Sequence, residues 1–156
     1  MKTKPKPNQE KNPDKNPGIA LKKALDNYDE LKTDYELTEE QGSTMAVMRK
    51  MGEVLEYYIK TLIQLLQPEE FHSLHECTAF DDDEKEHIFD IYKNLMIAHR
   101  ELLKAEINNT EKNNIATIKY VHTELKKIKP ELFKIVSKMQ DSWKKVETKG
   151  KARYFG

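Results

Sequence analysis

The chain is poor in the residues that punctuate strands. Five glycines and six prolines occur in 156 residues, and three of the prolines (Pro5, Pro7, Pro13) fall among the first sixteen. That is too little turn chemistry for a sandwich or barrel of many short strands. A single cysteine, Cys77, rules out an internal disulfide framework. Long apolar runs are missing as well: the most apolar stretch, Val54 to Leu66, is interrupted by Glu56, Lys60 and Gln64, well short of the roughly 18 uncharged residues of a membrane span. The basic N-terminus has no apolar core of the kind an export signal needs, so the expected compartment is cytoplasmic. There is no nucleophile paired with a base, no phosphate-cradling glycine loop and no kinase or hydrolase signature. The chain is expected not to be an enzyme and to use no cofactor.

Helical periodicity is present almost throughout. Residues 1–18 hold five lysines and four prolines and no Val, Ile, Leu or Phe, so they cannot bury enough apolar surface to offset the entropy of ordering, and a disordered basic tail is expected. Leu21, Ala24, Tyr28, Leu31 and Tyr35 then step by three and four, the stripe of an amphipathic helix. After Gln41-Gly42, Ser43 or Thr44 can cap a second helix carrying Met45, Met48, Met51, Leu55, Ile59, Leu62 and Leu66. Val47, Val54, Tyr58, Ile63 and Leu65 widen its stripe enough for a central position. Pro68 ends it and can open a short helix through Phe71 and Leu74.

Asp81, with Glu84 three residues on, forms a capping box for a third long helix bearing Ile88, Ile91, Leu95, His99, Leu102 and Ile107. Asn108-Asn109 breaks it, and Thr110 can cap a fourth that runs through Ile115, Ile118, His122, Leu125, Ile128, Leu132, Ile135, Met139, Trp143 and Val146. Pro130 lies inside this last segment and predicts a kink, or two helices meeting there. The expected fold is all-α, an up-and-down bundle of four to five helices over residues 19–147, followed by a basic and aromatic tail over 148–156.

Balanced totals of 27 basic and 27 acidic residues conceal an uneven distribution. Residues 19–90 carry net −11, residues 91–156 net +8, and the first eighteen residues net +3. Attraction between the halves within one bundle explains this. An alternative is a nucleic-acid face, since Lys126, Lys127, Lys134 and Lys138 belong to a basic stripe that continues through Lys129, Lys144 and Lys145 towards Arg153. Lysine greatly outnumbers arginine, however, and no motif of a nucleic-acid reader is present. The adjacent Tyr154 and Phe155, next to three cations, fit either a groove of their own bundle or a short motif that docks on a partner.

Three further groups invite chemistry. His72, His75 and Cys77, followed by Glu84 and His87, are chemically acceptable zinc ligands, but their spacing matches no metal motif, and no metal is expected. The Glu84-to-His87 pair occurs once, where a di-iron bundle needs two. His99 and His122 replace aliphatic residues on inward stripes, so they could line a ligand cavity with Tyr58. The methionine run at the start of the second helix resembles adaptable surfaces that accept helices or acyl chains. The leading expectation is therefore a non-catalytic regulatory or adaptor protein acting through protein contacts, including a homodimer. The alternatives are a nucleic-acid accessory protein and a sensor for a small apolar ligand near His99 and His122.

Overall fold

A computed structural model describes residues 17–38 and 42–146. It is an all-α bundle of six helices, with no strand among the described residues: α1 (Pro17–Ala24), α2 (Tyr28–Asp34), α3 (Thr44–Leu66), α4 (Phe71–Cys77), α5 (Asp82–Asn108) and α6 (Glu111–Lys144). The long helices α3, α5 and α6 run up, down and up around a shared core, and α3 also packs on α4. No described helix is long and apolar enough to cross a membrane. Apart from Pro17 and Gly18, the expected N-terminal tail lies outside the described residues, as does the segment holding Arg153, Tyr154 and Phe155. Helix α1 starts at Pro17, inside the stretch expected to be a tail, because proline suits a first turn.

The first apolar stripe is one helix more than periodicity suggested. It breaks at Leu25–Asn27, where Tyr28 N–H turns back to the Leu25 carbonyl at 3.1 Å. Asp26 and Asn27 favour such turns because their side chains compete with the helical backbone pattern. Most of the stripe survives the break: Leu21, Tyr28, Leu31 and Tyr35 are buried, but Leu25 takes the inward place expected of Ala24. Helix α2 closes with Glu36 in the left-handed region at φ 49°, while Leu37 N–H reaches the Lys32 carbonyl at 3.0 Å. A Cβ-bearing residue is strained there, where glycine is the usual choice.

Ser43 caps α3 by accepting the Ala46 N–H at 3.2 Å. Its stripe of Val47, Met48, Met51, Leu55, Leu62 and Leu65 is sealed, as a central helix requires. The Asp81 capping box forms as expected, with Glu84 N–H donating to Asp81 Oδ1 at 2.8 Å and Asp81 N–H to Glu84 Oε2 at 3.0 Å. Asn109 ends α5 in the left-handed region, and Thr110 occupies the cap position of α6 without a side-chain hydrogen bond. Pro130 divides nothing, since α6 is continuous through it. Proline and Lys126, whose carbonyl loses its helical donor, both face solvent, so water can replace the missing bond.

The inward stripe of α5 is Ile88, Ile91, Leu95, Ala98, Leu102 and Ala105. His99 and Ile107 were expected on it and are not; Ile107 is 79 % exposed. Strict steps of three and four from Ile88 select the two alanines, whose small side chains shorten the approach to a neighbouring helix.

Candidate functional site

Six lysines of α6 sit beside carboxylates. Lys126 reaches Glu30 at 2.5 Å and Lys129 reaches Asp34 at 3.4 Å, both on α2, while Lys138 pairs with Glu84 at the start of α5. Lys127, Lys134 and Lys144 each pair three residues back along α6, with Glu124, Glu131 and Asp141 at 2.7 to 2.9 Å. Hydrogen bonds from Lys126 and Lys138 hold the Glu30 and Glu84 carboxyls below the usual range. The pairs from Lys126, Lys129 and Lys138 join the basic half of the chain to the acidic half.

Apolar surface is bare elsewhere on the same helix. Phe133 is 75 % exposed and Val136 about half exposed, flanking the inward positions Leu132 and Ile135. With Leu132 and Met139 they form one wall of a groove of about 650 Å³. Tyr57, Tyr58 and Thr61 of α3 form the opposite wall, and His72 and Glu76 of α4 reach its edge. Tyr57 is 69 % exposed. Helix α4 is held to the end of α6 by Trp143, whose indole N–H donates to Glu76 Oε1 at 2.7 Å and whose ring lies 4.3 Å from that of His75. Phe71 and Leu74, on the same short helix, are exposed too. Phe133 and Val136 escaped the sequence reading, although an apolar pair just outside a complete stripe is a visible signal.

His99 and His122 do not share surroundings. His99 lines an open groove between α3 and α5 and lies 3.3 Å from Glu56. His122 is 3 % exposed beneath α2, with Nδ1 3.3 Å from the Tyr35 hydroxyl and Nε2 3.5 Å from Glu30 Oε2. Burial, with the Asp34 and Glu30 charges adding to it, pushes the Tyr35 phenol well above its ordinary range and keeps it protonated. Tyr58 lines the apolar groove instead of joining the two histidines in one cavity.

The zinc-type residues also have separate engagements. His72 pairs with Glu70 at 3.2 Å, His75 packs on Trp143, and His87 meets Glu131 at 3.4 Å. Among the described residues, the His, Cys, Asp and Glu side chains that gather as a group of three, with ligand atoms all within 4.8 Å of one another, are Glu30, Asp34 and His122. Glu30 and Asp34 were not singled out from sequence; their signal is two carboxylates at i, i+4 beside the first apolar stripe. The chain matches no protein-family model, no curated protein and no solved structure, so its function must be argued from its own geometry.

Proposed function

We propose that this chain is a non-catalytic adaptor whose groove between α3, α4 and α6 takes an amphipathic helix of a partner protein. The observation that carries this is the exposure of Phe133, Val136 and Tyr57 along one groove, while the neighbouring α6 positions Leu125, Ile128, Leu132 and Ile135 are buried. Contiguous exposed apolar surface marks partner sites, and a groove between helices suits the apolar face of another helix. The groove runs from Tyr57 to Gln64 along α3 and from Lys129 to Met139 along α6, about 10 to 15 Å or two to three turns at 1.5 Å per residue. Two or three anchors at i, i+3 or i+4, and i+7 would fill it. Lys60 stands at its edge, while Lys129 there is already paired with Asp34 and Glu76 with Trp143, so the partner helix carries an acidic residue beside its anchors to meet Lys60.

A nucleic-acid reading gains less support, because Lys126, Lys127, Lys134 and Lys138 already face carboxylates at close range. An apolar-ligand reading gains less as well, since His99 and His122 have different partners.

The test is photo-crosslinking from p-benzoylphenylalanine placed at Phe133, with Phe89 on the exposed side of α5 as the control position. Crosslinks at 133 but not at 89, mapping to one amphipathic, acid-flanked helix in another protein, are expected. Equal yields from both positions, or crosslinks only between copies of this chain, contradict the reading.

A further inference from the structure

We propose that Glu30, Asp34 and His122 form a binding site for a divalent transition metal of the zinc type, joining α2 to α6. Glu30 and Asp34 stand one turn apart on α2 and therefore share a face. His122 comes from the middle of α6, and the three ligand atoms lie within 4.8 Å of one another. Bonds of about 2.0–2.2 Å to a tetrahedral ion place its donors roughly 3.4 Å apart, so closure takes about an ångström of side-chain movement.

The acidic pair alone would carry nothing; the histidine points to a ligand. Its ring is 3 % exposed, and Nε2 is buried without a hydrogen-bond partner, with Glu30 Oε2 3.5 Å away at the outer limit of such a bond. A neutral imidazole has one nitrogen that donates and one that accepts. In the tautomer with Nδ1–H donating to the Tyr35 hydroxyl, Nε2 turns a lone pair towards the Glu30 carboxylate, and a cation resolves that opposition. A histidine that binds metal through one nitrogen commonly donates through the other, which is the Tyr35 arrangement.

The remaining charges define the site further. Lys126 takes Glu30 Oε1 and leaves Oε2 facing His122, while Lys129 holds Asp34 through Oδ2. Both lysines steady the carboxylates from outside while competing with an incoming cation. One imidazole and two carboxylates without thiolate suit Zn²⁺ or Co²⁺, whereas Mg²⁺ and Ca²⁺ favour all-oxygen sites. Three protein ligands leave a fourth position for water.

Co²⁺ titration of the full chain, followed by its d–d absorption and by displacement with Zn²⁺, tests this. One ion per chain is expected. The isosteric variants Asp34→Asn and Glu30→Gln, both at exposed positions, should weaken binding at least as much as loss of an outer-shell partner does, about 10- to 100-fold. Lys129→Met should tighten it by removing a competing cation, and His72→Ala should leave it unchanged. Nitrogen NMR of His122 adds a readout independent of folding, with Nε2 shifting on addition of Zn²⁺. Failure to take up Co²⁺, wild-type affinity in Asp34→Asn and Glu30→Gln, or loss in His72→Ala overturns the proposal.

Discussion

The two halves of α6 carry the same alternation of aliphatic and lysine residues and meet different fates. Before Pro130 the helix lies under α2, and Tyr35, Glu30 and Asp34 close over His122, Lys126 and Lys129 in a polar seam. After it, Lys138 still reaches Glu84 of α5, but Lys134 and Lys144 pair with carboxylates along their own helix, and Phe133 and Val136 stay bare. What lies alongside a helix, more than its own pattern, decides which of its surfaces are finished and which await a partner.

Truncation gives the widest separation between the halves. Leu125→Ala, at a fully buried position under the seam, should cost about 2–5 kcal/mol in urea unfolding, whereas Phe133→Ala in the groove should stay within about 0.5 kcal/mol. Similar losses at both would mean that the groove is closed.

The seam can also be broken by one atom. Tyr35→Phe removes the hydroxyl that meets His122 Nδ1 and leaves a buried nitrogen unpaired, a loss of about 1–3 kcal/mol. The same residue sets an alkaline limit. A phenol in the unfolded chain loses its proton near its ordinary 10.0, while folded Tyr35 retains it. Stability should therefore fall as pH rises above about 10, and less steeply in Tyr35→Phe, as unfolding curves across that range would show.

At the end of α2 the backbone itself offers a gain. Glu36→Gly relieves a left-handed residue and should stabilise the chain by up to about 1 kcal/mol in thermal unfolding.

Acid acts on both halves. Glu30, Asp90, Glu84, Glu131 and Asp141 are held below their ordinary values by lysines, so the unfolded chain takes up protons first as pH falls. Their contribution is complete above the ordinary carboxyl values of 3.8 to 4.5 and declines below them. Added salt should shrink this acid-sensitive part, because the pairs are exposed.

Much of the bundle is legible in the residues. The cap at Ser43, the Asp81 box and the wide stripe of α3 are local features, set by hydrogen bonds and spacing within a few residues. Less visible is anything that depends on a neighbour. Residues one apart on a helix differ by about 100° in direction, enough to move His99 off the core face in favour of Ala98. The break at Asp26 and Asn27 shifts the inward place from Ala24 to Leu25 and leaves Tyr28, Leu31 and Tyr35 in register, so periodicity alone cannot register it. Whether Lys126 is free for an anion depends on where α2 lies, and Glu30 and Asp34 acquire meaning only when His122 is brought beneath them.

The groove is tested most directly by amide chemical-shift mapping of the full chain with the partner's helix, identified by crosslinking and added as a synthetic peptide. Saturable shifts centred on Tyr57, Thr61, Phe133 and Val136, with the Tyr35 and Leu125 region undisturbed, are the predicted result. Shifts centred on Phe89 and Ile107, or no saturable shifts, would contradict it.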